Sequence, residues 1–595
     1  MIAAGPDPGR DEVVAVHRPE TDPKDGTMTH PADGSARFRD PTRTISRVML
    51  GMLALGVVWR VARFAARQPL WGDEAFIAVN LLVRDAAGML RTLEYYQIVP
   101  LGFLWAQLAV VGVLGGSEWA VRLIPFLAGL GALALFARFA ARTVDRRSAA
   151  LAVAIFAASY YPVRHATEVK PYATDLLIAL GATHLAWSLG RNLGSIRRWT
   201  ALTLVVGLGV WCSYPLVFVA FGLGVFLLGR LIRQSDPRGW AGFGSFGLIG
   251  AASWLASYLA FGRPQAQAAP FYSRLETWRG AFPPLRQPWE IPGWLLDVHT
   301  GNMLAYPLGG NHYASAGTAL LVVLGAAYLG RRRADLVVLL LGPLPPMLLA
   351  ACFGLYPYGT SARTTLFLAP AFCLLASVGA VGSIRRVRSA PRRRRCFAAL
   401  IVGLAAIPLV ASVANVALPY KNWEDRLNRQ VVEALARLAR PGDRWLVTDG
   451  LDNQLASRHA ILEHWIQQVA EVKYNILARS PAPTRWLPDP AALVDATQAG
   501  RTWLIVHRTG CPNFDEAYVA AERRQLERRL GPPEVHEFGL TRGESVTAYY
   551  YPAPSPTASP PTGLETELEQ LSPRPPGRQV VGNWAFRYDD PGRGP

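Results

Sequence analysis

Apolar runs of bilayer-crossing length alternate along this chain with short loops crowded with arginine. The first run covers about 45–65 and follows Arg43 and Arg47. Others fall at about 119–141, 149–161, 172–189, 199–214, 216–229, 243–261, 316–330, 335–354, 364–382 and 397–415. A helix needs roughly 20 apolar residues to span the hydrocarbon layer, so these runs predict a polytopic α-helical membrane protein of about 11 spans. The apolar stretch 100–115 decides the sidedness. If it crosses, the loop with Arg142, Arg146 and Arg147 lies outside. If it lies along the surface as an interfacial helix, all the short basic loops share one side, which the preference of Arg and Lys for cytoplasmic loops favours. That choice places the N-terminus in the cytoplasm and the C-terminal part outside. It also brings Trp71-Gly72-Asp73-Glu74, the stretch from His165 to Tyr172, and Arg363 to one outer face. Arg60 and Arg63, near the far end of the first run, are expected to snorkel to the interface.

Beyond the membrane part the periodicity changes. Apolar positions at helical spacing over 423–440 stop at Pro441-Gly442, and Trp445-Leu446-Val447-Thr448 reads as a buried strand. A helix is expected over 453–468, a strand at 503–506, a helix at 516–530 and a strand at 545–551. Alternating helices and strands predict a small extracytoplasmic α/β domain. The domain plan is therefore a disordered cytoplasmic leader over 1–42, a transmembrane domain over 43–416, the α/β domain over 417–552, and a Pro-rich mobile tail over 553–595. The leader has no apolar core of the kind a signal peptide needs.

Composition supports this reading. Hydrophobic residues make up 51% and charged residues 17% of the chain, with a mean hydropathy of +0.17. Soluble chains carry about 25% charged residues. The net charge of +18 would suggest nucleic acid in a soluble protein, but here its arginines sit between apolar runs and no nucleic-acid partner is expected. Cys212, Cys352, Cys373, Cys396 and Cys511 show neither metal-ligand spacing nor a disulfide framework. There is no Walker loop and no Gly-rich nucleotide fingerprint.

The candidate chemistry lies at the span ends. Asp73 and Glu74 follow the first span directly. A carboxylate there can take the proton of an acceptor hydroxyl during glycosyl transfer, or it can simply favour the positive end of a helix starting at Ala75. Glu168 can orient an acceptor or a divalent metal ion, and Lys170 can face a phosphate. The same stretch can equally be a solvated turn with Tyr172 in the aromatic belt. His165 is an interface residue or a substrate contact. Arg363, after Tyr356-Pro357-Tyr358, offers a fork for a phosphate leaving group or an anchor for lipid headgroups. In the long loop over 262–315, Arg274, Glu276, Arg279, Glu290, Asp297 and His299 have no interpretable spacing, and Asp449 and Asp452 suit a turn.

In order along the chain come Leu70-Trp71-Gly72-Asp73-Glu74-Ala75, Val99-Pro100-Leu101-Gly102-Phe103-Leu104, Gly116-Ser117-Glu118-Trp119-Ala120-Val121-Arg122-Leu123 and Glu168-Val169-Lys170-Pro171-Tyr172. This series resembles the GT-C membrane glycosyltransferases. Within them it looks like the branch of protein O-mannosyltransferases, aminoarabinose lipid A transferases and bacterial dolichyl-phosphate-mannose-mannosyltransferase-like proteins. The stretch from Tyr356 to Pro370 is similar to the family's later outer-loop arginine and the span after it. The resemblance implies a polyprenyl-phosphate sugar donor, an inverting transfer and an extracytoplasmic site between the first two outer loops. It implies Asp73 as catalytic acid/base with Glu74 as its motif partner, and Glu168 as the second-loop acid. Lys170 stands where Arg is common, and Val99 where relatives often carry a second proline. The expected function is that of an inner-membrane glycosyltransferase, hexosyl or pentosyl, acting on a periplasmic lipid, glycan or protein. Arg363 and Lys170 would hold the lipid phosphate, with His165 and Tyr172 at the substrate. No cofactor is assigned, and a divalent metal ion stays open. The competing class is a transporter or scaffold for cell-envelope polysaccharide. A transporter would hold its acids at the membrane midplane, whereas these lie at span ends.

Overall fold

The computed structural model describes residues 41–234, 236–268, 278, 280–417, 422–440, 443–448, 464–480, 484–486, 501–508, 516–540 and 545–552. The expected leader up to residue 40, Arg274, Glu276, Arg279, Asp449, Asp452, Cys511 and the tail over 553–595 lie outside them. The protein is a helical membrane bundle with a small C-terminal sheet domain.

The longer membrane helices are α1 (Pro41–Ala65), α2 (Gly72–Val83), α3 (Leu101–Leu114), α4 (Glu118–Thr143), α5 (Arg146–Ala158), α6 (Tyr172–Leu189), α7 (Ile196–Gly209), α8 (Leu216–Gln234), α9 (Pro237–Ser257), α10 (Ala316–Leu341), α11 (Leu344–Cys352), α12 (Ala369–Arg385) and α13 (Ala390–Ala417). Among the described residues, six helices are individually long and apolar enough to cross a membrane. The pair α10 and α11, bent by 42°, passes the same test jointly. The runs expected at 149–161, 172–189 and 199–214 are helices of 13, 18 and 14 residues.

Helix α5 is the core of the bundle. Asp145 caps it by accepting from the Arg147 and Ser148 backbone N–H groups, and every residue from Ser148 to Ala158 is buried. Lipid tails are as apolar as leucine, so burial alone does not drive such packing, and close contact of small side chains does. The seam between α10 and α12 shows this directly. A Cβ on Gly379 would stand 3.0 Å from the Gly325 nitrogen, and one on Gly325 would stand 2.7 Å from the Leu375 carbonyl carbon.

The arginine loops gather at one end of the bundle. Arg385 pairs with Asp145 at 3.0 Å, and Arg230 donates to the Gly190 carbonyl at 2.7 Å and lies 3.8 Å from Asp335. Arg191 donates to the Arg142 carbonyl at 3.4 Å. At Arg333 the α10 backbone leaves helical geometry (φ −144°, ψ 58°), inside the basic run that the pattern reads as a loop. Helix α3 has 14 residues, a rise of about 21 Å that falls short of the hydrocarbon thickness. Its flanks return to the same place, since Glu94 pairs with Lys473 and the Gly116 carbonyl accepts from the Tyr474 hydroxyl, both on one soluble helix. Both flanks of α3 thus meet the same helix, an arrangement that fits the interfacial placement the arginine pattern favours.

Arg60 departs from expectation. It is fully buried, donates to the Gly56 carbonyl at 2.9 Å and lies over the Phe156 ring. Neighbouring α5 covers it, leaving no path along which to snorkel. Arg63 instead donates to the Thr167 hydroxyl at 2.9 Å.

The C-terminal domain contains α14 (Asn422–Leu438), β1 (Arg444–Thr448), α15 (His464–Arg479), β2 (Thr484–Trp486), β3 (Thr502–Arg508), α16 (Glu516–Leu530), β4 (Glu534–Gly539) and β5 (Ser545–Tyr551). The sheet order is β2-β1-β3-β5-β4, with β1 parallel to β2 and β3, and β5 antiparallel to β3 and β4. Side chains alternate across it. Leu446, Leu504 and Tyr549 face Val519 and Leu526 of α16, while Trp445, Ile505 and Ala548 face Val432 and Leu435 of α14 and Ile476 of α15. The helix expected over 453–468 is described only from His464 and runs on to Arg479, because the apolar positions Val469, Val472 and Ile476 continue its buried face.

Candidate active site

The site grows from the start of α2. Its N-cap is Trp71, so neither acid caps the helix, and both carboxylates in its first turn are engaged elsewhere. Asp73 receives two cations from distant parts of the chain. Lys170 Nζ lies 2.8 Å from Oδ1, and the Arg363 guanidinium lies 3.1 Å from Oδ2. Lys170 also donates to Gln97 Oε1 at 2.9 Å, and Arg363 lies 4.7 Å from the centre of the Trp278 ring. The trio is packed but not sealed, with side-chain exposures of 18% for Asp73, 6% for Lys170 and 12% for Arg363. Burial pushes the Lys170 pKa below the ordinary lysine value, and Asp73 only partly restores it.

Glu74 is placed differently. Its side chain is 1% exposed and is held by Arg122, Nε to Oε1 at 2.8 Å and Nη2 to Oε2 at 2.5 Å. Arg122 also donates to the Gln68 and Pro69 carbonyls, and Glu74 Oε1 accepts the Val169 N–H at 2.9 Å. One buried ion pair thus fastens the stretch before α2, the start of α4 and the Glu168–Lys170 turn together.

Glu168 is also buried. It accepts from Arg164 Nε at 2.6 Å and faces His165 Nδ1 at 2.7 Å. Burial raises its pKa, but Arg164 and His165 outweigh that and hold it well below the usual carboxylate range. His165 lies between Tyr161, stacked at 6.1 Å, and Tyr172, edge-on at 5.1 Å. Burial lowers the His165 pKa against the pull of Glu168, and Nε2 is buried with no hydrogen bond among the described residues. Elsewhere, His299 contacts the Tyr358 hydroxyl at 3.1 Å. Among the described residues no group of three or more His, Cys, Asp and Glu side chains could hold a metal ion. The Asp73 and Glu168 oxygens face cations and a histidine, which does not fit a divalent ion, and no step is assigned to one.

The structure therefore brings Asp73, Lys170 and Arg363 together in one cluster, and keeps Glu74 and Glu168 in buried pairs beside it. Sequence reasoning left Arg122, Arg164, Gln97 and Trp278 without roles. Arg122 carried a usable signal, because an arginine inside an apolar run is retained where it has a partner. Arg164 carried another, standing four residues before Glu168 at a helical spacing that pairs charges.

Residues 99–255 match the family model described as dolichyl-phosphate-mannose-protein mannosyltransferase. That stretch includes Glu168 and Lys170 and excludes Asp73 and Arg363. The match is to part of the chain and agrees with the resemblance to protein O-mannosyltransferases. Among solved structures, the chain is similar to ArnT from Cupriavidus metallidurans bound to undecaprenyl phosphate, at 12% identity and a TM-score of 0.48, covering 88% of this chain and 100% of that one. It is also similar to the oligosaccharyltransferase AglB from Archaeoglobus fulgidus in complex with an inhibitory peptide and a dolichol-phosphate. That likeness has 11% identity and a TM-score of 0.42, over 86% of this chain and 75% of the other. No curated protein matches the chain.

Proposed function

From the GT-C glycosyltransferase relationship as premise, we propose that this membrane protein moves a sugar from a polyprenyl-phosphate donor to an extracytoplasmic acceptor. The observation that carries the reading is the convergence of Lys170 and Arg363 on the Asp73 carboxylate. Two cations aimed at two anionic oxygens form a site that a phosphate can share. The arginine-rich end is cytoplasmic by the positive-inside preference. Asp73 and the C-terminal domain then face the outside, where ATP and nucleotide sugars are absent and a lipid-linked donor is the available one.

The roles follow from the geometry. The donor phosphate draws Lys170 and Arg363 to itself, and they stabilise the charge that grows on it as the bond from its oxygen to the anomeric carbon breaks. Losing its cations and gaining an anionic neighbour makes the Asp73 carboxylate more basic. It then takes the proton of the acceptor hydroxyl as that oxygen bonds to the anomeric carbon from the opposite face, inverting it. Glu74 and Glu168 are positioning residues, and His165 Nε2 and the Tyr172 ring are offered to the sugar or the acceptor. The transferred group is a hexose or a pentose.

Asp73→Asn tests the base. Transfer from a polyprenyl-phosphate sugar is expected to fall by about 10²–10⁴-fold, with membrane insertion unchanged. Full activity in the variant would remove Asp73 from the reaction. Profiling lipid-linked sugars in a deletion strain identifies the donor as the species that accumulates.

A further inference from the structure

The C-terminal domain contacts the helix that carries Asp73 and the segments beside it, mainly through one helix. Ala470 and Tyr474 of α15 are buried in the same apolar cluster as Ala75, Phe76, Ile77, Ala78 and Val79 of α2. Next to Asp73, a Cβ on Gly72 would stand 2.9 Å from the Gln467 Cα. No residue larger than glycine fits there unless α15 withdraws.

Two polar routes lead from α15 to the reacting carboxylate. In the first, Lys473 pairs with Glu94 at 2.9 Å. Glu94 exchanges backbone hydrogen bonds with the Asn80 side chain on α2, at 2.9 and 3.3 Å, and Tyr95 stacks on Phe76 at 4.9 Å. Gln97, just beyond, accepts from Lys170, which reaches Asp73. In the second, Arg479 pairs with Glu118, a carboxylate 1% exposed that also pairs with Arg67 at 3.1 Å and lies 3.9 Å from Arg429 of α14. Glu118 begins α4, and one turn later Arg122 holds Glu74, the neighbour of Asp73.

We infer that Gln467, Lys473 and Arg479 of the soluble domain are positioning residues for the Asp73–Lys170 pair, so that the domain completes the active site. The inference rests on the transfer reaction proposed above. A soluble domain that served only to bind an acceptor would need no tight contact at Gly72 and no buried cluster around Glu118. The first contact lies at the start of the helix that carries the base, and the second at the start of the helix whose Arg122 holds Glu74.

The test uses the full-length chain in nanodiscs. Gly72→Ala is expected to lower kcat about a hundredfold, the effect of displacing a reacting group by about 1 Å, while undecaprenyl phosphate still binds stoichiometrically. A wild-type kcat overturns the inference, and so does lost binding, which would mean a collapsed site. Amide hydrogen exchange gives a second readout. Arg479→Ala is expected to speed exchange over residues 72–83 and leave 369–385 unchanged, and Arg479→Lys is expected to restore protection. Unchanged exchange over 72–83 overturns the inference even if transfer proceeds. If the wild-type chain transfers from no polyprenyl-phosphate sugar, the proposed function fails and the exchange result alone decides the role of α15.

Discussion

Asp73 and Glu74 are adjacent carboxylates on one helical turn, yet their surroundings are opposite in kind. Asp73 meets Lys170 and Arg363, brought from two other loops to a partly open position. Glu74 meets Arg122 in a pair whose side chains are 1% and 7% exposed, with a backbone N–H on the same oxygen. A partly open carboxylate that meets each of two cations through one oxygen can exchange them for an incoming anion at lower cost. A sealed bidentate pair cannot, since either ion left alone would be uncompensated. Under the proposed transfer, the neighbouring acids divide the work: one exchanges its partners, the other is fixed framework.

The largest effect that could break this contrast is on stability. Glu74→Gln leaves the Arg122 guanidinium buried without its counter-charge, and a loss of about 3–5 kcal/mol is expected from breaking such a pair, read as a lowered unfolding temperature in detergent. Asp73→Asn should leave that temperature near the wild-type value. Equal losses in the two variants would abolish the distinction. Next comes Arg363→Lys, which keeps the charge but loses the planar fork. Transfer should fall by about 10²-fold, as when an oriented donor is removed from a developing anion, without a change in unfolding temperature. The smallest effect is on pH. Lys170 is charged below its pKa, so its hold on the phosphate is complete at low pH and is lost as pH rises through that pKa. Because burial lowers the value, the alkaline limb of kcat/KM should lie below the ordinary lysine value of about 10.4. Lys170→Arg should move the limb upward, and an unmoved limb would assign it to another group.

Much of this arrangement was legible in the residues. Apolar runs predicted the helical bundle, because membrane insertion acts on local composition. The continuous apolar run Trp445-Leu446-Val447 marked β1 for a similar reason, as both faces of that strand are buried. The edge strand β4 escaped because its side chains are mostly exposed and carry no apolar signal. Arg122 and Gln97 escaped because their meaning comes from partners 48 and 73 positions away. The end of α15 was set too early, at Gln468, while its buried face continues through Val472 and Ile476. For Arg122 and Gln97 the missing information was a tertiary contact, which no window along the chain contains.

The glycine seam between α10 and α12 has a mechanical consequence. With Gly325 and Gly379 in backbone contact, neither helix can slide or roll without collision, and the two behave as one stiff post. Arg363 stands just before that post, in a loop that includes Gly354 and Gly359 at φ of +64° and +73°. Under the proposed transfer, a stroke of its guanidinium from the Asp73 carboxylate to a phosphate would be confined to that short loop, and the arginine would work as a hinged arm on a fixed mast.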